Sequence, residues 1–430
     1  MNSHGSQLMP LTSPEARPVW SFRLSLVCLV AISVSLPMAW ISIAKALLFI
    51  GSLLYLVSNH VKKQRDSVFA VLWTPPVILA ILIFCSLSVL GSDVDLNTAA
   101  LALVKHGKLL EILLLLSLIR TAREARIGIS AFAAGQTFLL LSSWLLAAGL
   151  PIVWATATGR GSQYVVFSSY LDQSIILATT ASVFWHLRSD KLWPPWLGGV
   201  LATAALINVF LLLIGRTGYA IAVVLISLAA MWALPKRLRL AALIATPMIV
   251  LLVIYLGSAH VQEGLSKMLR ESQSYAIQGK DEISSGWDGN SFGWRLNAWH
   301  RSIQAIQEAP WSGHGVGSWT KTVKQLEGSF GTITFGTSQI NNPHQEFLLW
   351  GVELGIGGIV LLLLFMIGIL RDAMRFETSI ARSSVSVLTA LFIACQFNST
   401  LYDSLIGDYF CITLGLLMAL RLRTKMKVVT

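Results

Sequence analysis

The sequence NNPHQEF at residues 341–347 closes a long polar segment and leads directly into an apolar run that ends at Leu370. An α-helix needs about 20 apolar residues to cross the hydrocarbon core of a bilayer, and this run is long enough. The stretch therefore predicts a transmembrane helix whose first turn lies at the membrane surface. It also places the imidazole of His344 at that surface, and histidine is the side chain best suited to moving a proton near neutral pH.

The composition of the whole chain is that of a polytopic membrane protein. Its 430 residues are 55% hydrophobic and 12% charged, with a mean hydropathy of +0.68, whereas soluble domains carry about 25% charged residues. We predict an all-α integral membrane protein with about 12 transmembrane helices. The apolar segments that predict these spans lie near 21–38, 40–58, 68–90, 100–119, 127–149, 166–187, 196–215, 218–234, 240–257, 346–370, 384–401 and 405–420.

The net charge of +11 is distributed in a way that predicts the topology. Most Lys and Arg residues lie in the first tail or in alternate short loops, at 62–65, 120–126, 188–191, 236–239, 371–382 and 421–427. Because loops rich in Lys and Arg stay in the cytoplasm, we expect both termini there. These basic residues are expected to contact membrane lipids, and their pattern does not indicate a nucleic-acid partner.

The predicted topology divides the chain into two tails, two groups of membrane helices and one large loop. We predict a cytoplasmic tail at 1–20, transmembrane helices 1–9 at 21–257, a periplasmic loop at 258–345, transmembrane helices 10–12 at 346–420 and a cytoplasmic tail at 421–430. The loop between spans 9 and 10 has balanced charges and several tryptophans. It is therefore expected to be folded and mainly helical.

Within the loop, residues 294–306 show the period of an amphipathic helix. The predicted apolar face of this helix consists of Leu296, Trp299, Ile303 and Ile306. The Pro- and Gly-containing stretch 310–317 predicts a turn-rich connection. Residues 332–335 predict a short strand.

Three arginines are candidate anion-binding residues. Arg216 lies in GRTGY at the external end of the seventh predicted span, where external loops otherwise have few basic residues. A cation at this depth is costly unless it is paired or functional, and a guanidinium suits bidentate binding of phosphate oxygens. The flanking glycines are expected to let a ligand approach the backbone; the alternative is an arginine that only snorkels to the interface. Arg295 opens the amphipathic helix, and Arg160 lies between glycines.

His344 differs from the other histidines in the residues around it. The Asn-Asn-Pro sequence before it predicts an extended approach to a helix start whose dipole favours anions. A neutral imidazole at this position would meet the requirement of a general base. His314, between two glycines, is expected to line the same cleft, and His106 is expected to pair with Glu111.

Carboxylates and cysteines give further hypotheses. Asp93 and Asp95 resemble the acidic pairs that bind metal in many sugar-transferring enzymes, but their place at a helix start favours a capping role. Asp403 and Asp408, near the last external loop, are candidates for positioning an acceptor. All cysteines lie in apolar runs and are expected to be packing residues. We therefore predict no metal site and no cofactor.

Three motifs occur in a fixed order around the long loop. They are GRTGY at 215–219, Trp294-Arg295 leading to APWSGHGVG at 309–317, and PHQEFL at 343–348 followed by ELGIGG at 353–358. Together they resemble the O-antigen ligase and O-antigen polymerase superfamily of bacterial inner-membrane glycosyltransferases. The resemblance covers residues 200–370 by motif and the whole chain by topology. In one departure, Gln345 stands where the family histidine is often followed by Asn.

The resemblance implies an activity, a location and roles for individual residues. Family members move glycan from undecaprenyl diphosphate onto an acceptor, so the expected partners are undecaprenyl diphosphate-linked O-antigen and the lipid A-core oligosaccharide. The protein would lie in the bacterial inner membrane with its active site facing the periplasm. Arg216 and Arg295 would bind the diphosphate, and His344 would activate the acceptor. The further candidates for substrate binding are Arg160, Tyr219, His314, Asn341, Asn342 and Gln345.

The chemistry of such a transfer agrees with these roles. The lipid diphosphate is an activated leaving group, and two arginines can neutralise its charge without a metal. Direct displacement by the acceptor hydroxyl would invert the anomeric carbon. The alternatives are an O-antigen polymerase, a protein O-oligosaccharyltransferase and, in another class, a polytopic transporter or flippase. Transporters place charges at the midplane of related halves, whereas the outlying charges here cluster at one membrane face.

Overall fold

The computed structural model of the chain describes residues 21–57, 71–157, 161–190, 192–257, 293–327 and 341–425, with isolated residues between 262 and 273 and between 334 and 339. In chain order these contain α1 Phe22–Ser33, α2 Met38–Val57, α3 Thr74–Val89, α4 Leu96–His106, α5 Leu110–Leu118, α6 Ala122–Ala147, α7 Tyr170–Leu187, α8 Pro195–Leu211, α9 Arg216–Ala233, α10 Arg239–Gly257, α11 Gly293–Glu308, α12 Trp319–Glu327, β1 Thr334–Phe335, β2 Ser338–Gln339, α13 Glu346–Ala373, α14 Thr378–Phe397 and α15 Ser404–Lys425. Short 3₁₀ turns at Gly107–Leu109 and Lys236–Leu238 precede α5 and α10.

The all-α prediction is confirmed in the part of the chain that the structure describes. The exception there is one pair of two-residue strands, in which β1 runs antiparallel to β2 with Thr334 opposite Gln339. The strand predicted at 332–335 is thus present in its second half, and residues 332–333 lie outside the described residues.

Seven of the described helices are long and apolar enough to cross a membrane, namely α2, α6, α9, α10, α13, α14 and α15. The helices α1, α3 and α8 are apolar but shorter. The fourth predicted span is interrupted, because the 3₁₀ turn at Gly107–Leu109 separates α4 from α5. Each predicted segment contains helix, but the count of about twelve spans stays a prediction.

The last helix, α15, forms the centre of the bundle. Nearly all of its residues from Ser404 to Leu422 are buried, and it packs against α5, α6 and α14. One turn into α15, the buried carboxylate of Asp408 binds the Lys45 ammonium of α2 at 2.7 Å. Asp408 therefore lies inside the bundle, and the expectation that it positions an acceptor is wrong.

The capping role expected for Asp95 is confirmed. Its carboxylate accepts from the Thr98 backbone N–H at 3.2 Å and from the Thr98 hydroxyl at 2.7 Å, at the start of α4. Among the described residues, no group of three or more His, Cys, Asp or Glu side chains could hold a metal ion. The four cysteines are free thiols inside or beside the helix bundle, in agreement with a packing role.

The helix α13 is broken at Gly355. This residue has φ 67° and ψ −162°, a conformation that is essentially restricted to glycine. The backbone hydrogen bonds across the break join Ile356 N to Pro310 O at 2.7 Å, His314 N to Val352 O at 2.9 Å and Gly315 N to Glu353 O at 2.9 Å. Residues 309–317, called the docking loop below, thus pair with backbone groups that an unbroken helix would satisfy itself.

The helix α11 is present as predicted, but its buried face differs from the predicted one. Ala298, Ser302 and Ala305 are fully buried, whereas Ile303 is 47% exposed. The reason is a close approach of α11 to α13, where a Cβ added at Gly351 would lie 2.5 Å from the side chain of Ile306. Close packing of two helices favours the smallest side chains at the contact, and the periodicity of large apolar residues does not reveal this.

Replacing Gly355 by Ala is expected to destabilise the protein. The left-handed conformation imposes about 1–3 kcal/mol of strain on an L-residue, and the new Cβ would lie 2.7 Å from the Pro310 carbonyl oxygen. The melting temperature of the purified protein in detergent should fall. Gly368→Ala in the same helix is the matched control, because its Cβ would meet Thr74 at an ordinary 3.6 Å. Equal melting temperatures for the two variants would contradict the importance of the break.

Candidate active site

The segment before α13 turns sharply at His344. Its φ of 49° is the only positive value at a non-glycine residue in the described chain. The Asn342 side chain supports the turn, because its Oδ1 accepts from the His344 backbone N–H at 2.9 Å. Gln345 then caps α13 by accepting from the Leu348 N–H at 2.5 Å. Asn342 and Gln345, both predicted to bind substrate, thus have their side-chain oxygens engaged in shaping the turn that presents His344.

The imidazole of His344 contacts a residue that the sequence analysis did not single out. Its Nδ1 lies 2.9 Å from the side-chain Oδ1 of Asn398, the residue that ends α14. Asn398 is 1% exposed, whereas His344 is half-buried, so the hydrogen bond lies at the edge of the protein interior. The contact joins the start of α13 to the end of α14.

The segment 398–403 is itself held by two buried charged groups. Glu346, in the first turn of α13, accepts from the Leu401 N–H at 2.8 Å. The Lys108 ammonium donates to the carbonyl oxygens of residues 401, 402 and 403 at 3.1, 3.0 and 2.5 Å. These contacts hold Asn398 in place beside the imidazole.

The cation beside His344 is Arg295. Trp299, one turn further along α11, donates its Nε1–H to the Pro343 carbonyl at 3.0 Å and fixes α11 to the segment that carries His344. The pKa of His344 is lowered to about 4, first by burial and then by the positive charge of Arg295, while the Asn398 hydrogen bond acts in the opposite direction. The imidazole is therefore neutral at pH 7, as a general base requires.

Arg216 lies at the same end of the bundle as His344. The helices α9 and α14 pack antiparallel, since Arg382 near the start of α14 donates to the Trp232 carbonyl near the end of α9 at 3.4 Å. The start of α9 therefore lies towards the end of α14, where Asn398 holds the imidazole. Arg216 is exposed, and among the described cations it is Arg295 rather than Arg216 whose charge acts on His344.

The glycines around Arg216 serve helix packing. A Cβ at Gly215 would lie 2.0 Å from the Ser174 hydroxyl oxygen, and a Cβ at Gly218 would lie 2.5 Å from the same side chain. The expectation that they admit a ligand to the backbone is therefore wrong, because α7 fills that space. Tyr219, another predicted substrate-binding residue, donates its hydroxyl to the Leu213 carbonyl and so anchors the turn that presents Arg216.

The remaining predicted substrate-binding residues lie in different places. Asn341 is exposed and lines a cavity beside the His344 segment. His314 lies in the docking loop, with Nε2 3.0 Å from the Ala305 carbonyl and Nδ1 3.4 Å from the Asp93 carboxylate. These contacts attach the docking loop to α11 and to the connection between α3 and α4. Arg160 lies outside the described residues.

The cavity beside the His344 segment has a volume of about 770 Å³ and opens between α4 and α12. Asn341, from the His344 segment, and Tyr402, from the segment that carries Asn398, both line it. Its charged lining comprises Lys105, Lys321, Lys324, Asp93, Asp95 and Glu353. These charged side chains of both signs can form hydrogen bonds with a hydroxyl-rich ligand.

One pairing predicted from the sequence is wrong. His106 Nε2 lies 3.0 Å from the Glu353 carboxylate of α13 and does not pair with Glu111. Side chains meet along a helix at spacings of three or four residues, and here a 3₁₀ turn also separates the two. The sequence signal that could have revealed Asn398 is the polar Asn-Ser-Thr tripeptide at 398–400, at the end of the apolar segment predicted near 384–401.

A part of the chain matches a known protein family. Residues 201–365 match a family model described as O-antigen ligase. The matched segment contains Arg216 at the start of α9, Arg295 on α11 and His344 before α13. It confirms the resemblance that the three motifs indicate. No curated protein matches the chain.

We expect the imidazole of His344 to be protonated only near pH 4. Carbon NMR of protein labelled in its histidine rings measures this, with His344→Gln identifying the resonance. Arg295→Gln removes a positive charge and should raise this pKa, although burial keeps it below the ordinary value of about 6.5. Arg301→Gln is the control on the same helix. The Arg301 Nε–H donates to Asn297 Oδ1 at 2.8 Å, so removing this charge should leave the pKa of His344 unchanged. A pKa of His344 near the ordinary histidine value in the wild-type protein would contradict the burial of its imidazole.

Proposed function

We propose that this protein, whose residues 201–365 are an O-antigen ligase family segment, transfers glycan from undecaprenyl diphosphate to the lipid A-core oligosaccharide at the periplasmic face of the bacterial inner membrane. The observation that carries the proposal is the partly buried, neutral imidazole of His344 near the positive charge of Arg295 within the matched segment. Glycan transfer needs a base for the acceptor proton and a positive charge for the departing diphosphate. His344 and Arg295 supply this pair of functions.

Arg295 and Arg216 hold the diphosphate in this proposal. A guanidinium binds phosphate oxygens through two parallel hydrogen bonds. Negative charge grows on the leaving oxygen as the bond between sugar and phosphate breaks, and fixed cations stabilise that charge. Support for the role of Arg216 comes from its exposed place at the start of α9, where the helix dipole favours the same anion.

The acceptor sugar reaches His344 through the cavity between α4 and α12. The support is that Asn341 and Tyr402 line this cavity while their neighbours His344 and Asn398 form the base and its hydrogen-bond partner. Donor and acceptor then approach the imidazole from different sides, the donor past Arg295 and Arg216 and the acceptor past Asn341. Attack from the side opposite the leaving group inverts the anomeric carbon.

The transfer uses no metal in this proposal, because the two guanidinium groups supply the positive charge that a metal ion supplies elsewhere. Addition of a chelator to the purified enzyme should therefore leave the rate unchanged. The other proposed substrate-binding residues act mainly by placing these groups: Tyr219 holds the turn before Arg216, and Asn342 and Gln345 shape the turn at His344.

Transfer in vitro by the purified protein tests the proposal, with a lipid diphosphate-linked glycan as donor and lipid A-core as acceptor. His344→Ala should lower the transfer rate by at least about 100-fold, since a positioned base contributes about 10²–10⁴-fold. His300→Ala is the matched control, because His300 is an exposed residue of α11, and it should keep full activity.

The product distinguishes the rival functions. Glycan joined to lipid A-core supports the ligase. Glycan that lengthens on the donor lipid indicates a polymerase, and glycan on added protein indicates an O-oligosaccharyltransferase. Movement of the lipid across vesicles without any new glycosidic bond would contradict a transferase of any kind.

A further inference from the structure

We propose that Asn398 and Asp403 fix the tautomer of His344, with the proton on Nδ1 and the lone pair on Nε2, so that Nε2 is the atom that takes the proton of the acceptor. The catalytic part of this inference rests on the proposed function. The tautomer itself is a property of the protein without substrate. Asn398 and Asp403 act through His344 and are positioning residues.

The first observation is the contact between the two side chains. The Oδ1 of Asn398 lies 2.9 Å from the Nδ1 of His344. An amide oxygen can only accept a hydrogen bond, so Nδ1 must carry the proton. A neutral imidazole has one N–H, so a protonated Nδ1 leaves the lone pair on Nε2.

The second observation agrees with this orientation of the Asn398 amide. Burial raises the pKa of the Asp403 carboxyl, and the Lys108 ammonium and the Asn398 side chain act in the opposite direction. An amide can offer an ionised carboxylate only its Nδ2–H, which is consistent with an amide oxygen that faces His344.

The third observation is that this arrangement is held by the backbone around it. The Asn398 N–H donates to the Ala394 carbonyl at 2.8 Å, and the Asp403 N–H donates to the Ser399 carbonyl at 2.8 Å. Lys108 and Glu346 bind the rest of the segment, as described above. These contacts fix the backbone that carries Asn398. Rotation of its amide would break the hydrogen bond to His344, which costs about 1–3 kcal/mol when a buried partner is left unsatisfied.

The choice of an amide at position 398 also has a physical reason. A carboxylate in direct contact with the imidazole would favour the protonated ring and remove the base at neutral pH. An amide sets the tautomer without adding charge. The carboxylate of Asp403 stands one side chain further away, where it orients the amide, while burial and then the positive charge of Arg295 keep the ring neutral.

In the transfer step, the acceptor oxygen forms a bond to the anomeric carbon and its proton passes to Nε2 of His344. The bond between the anomeric carbon and the diphosphate oxygen breaks, and its electron pair leaves on the diphosphate. The imidazole becomes an imidazolium with both nitrogens protonated. The Asn398 oxygen and, through the amide, the Asp403 carboxylate stabilise this positive charge.

Nitrogen NMR of protein labelled in its histidine rings tests the proposal at pH 7, because protonated and unprotonated ring nitrogens resonate far apart. Wild-type His344 should show a protonated Nδ1 and an unprotonated Nε2. Asn398→Ala should give a mixture of tautomers and lower kcat by at least about 10-fold, while the KM for the donor changes little. Asn398→Asp keeps an acceptor for Nδ1–H but places a negative charge against the ring, so it should keep Nδ1 protonated and raise the pKa of His344.

Two further variants keep the test decisive if Asn398→Ala folds poorly. Asp403→Asn conserves shape but allows the Asn398 amide to face either way, so it should also mix the tautomers. Gln396→Ala is the control, because Gln396 lies on the same helix and binds only the Phe392 carbonyl among the described contacts.

A wild-type His344 with its proton on Nε2, or an unchanged tautomer in Asn398→Ala, would overturn the inference. A changed tautomer with unchanged kcat would overturn its catalytic part, whereas full activity of His344→Ala would instead remove the proposed function.

Discussion

The break in α13 at Gly355 is the constraint on which the site depends. An unbroken helix would keep the Ile356 amide and the carbonyls of residues 352 and 353 for its own hydrogen bonds, and the docking loop would have no backbone partners. Because the helix opens there, the docking loop attaches to it at 2.7–2.9 Å and carries the end of α11 against α13. The other end of α11 then lies beside the turn at His344, which brings Arg295 to the imidazole. A backbone feature near the end of the matched segment thus sets the position of His344, about ten residues earlier in the chain, relative to α11.

The polar groups buried in the bundle support the same place. Lys108 and Glu346 stand in predominantly apolar segments, where unpaired charges are costly. Both direct their polar atoms to the backbone of the segment 398–403. That segment brings Asn398 to His344. These hydrogen bonds offset part of the cost of burying the two side chains, and they place Asn398 beside the His344 imidazole, which burial and Arg295 keep neutral.

Residue patterns predicted the helical class and singled out Arg216 and His344, and the resemblance of the three motifs placed Arg295 in the same site. They did so because apolar periodicity and out-of-pattern charges are local features of a sequence. They did not predict Asn398, since an Asn between two apolar runs looks like any polar turn. They also assigned the wrong role to Gly215 and Gly218, because close packing against Ser174 depends on a helix distant in sequence. The prediction of the buried face of α11 was wrong for the same reason, because the periodicity of α11 does not show which surface of α13 it packs against.

The central claim is that Arg216 and Arg295, about eighty residues apart in the chain, hold one diphosphate beside His344. A double-mutant cycle measures this directly, with the affinity for a non-transferable polyprenyl methylene-diphosphonate as the readout. We expect Arg216→Gln and Arg295→Gln each to weaken binding, with a coupling of at least about 0.5 kcal/mol in the double variant, because groups that share one ligand are not independent. Losses that add within about 0.3 kcal/mol, or an unchanged affinity in Arg216→Gln, would contradict a single shared site.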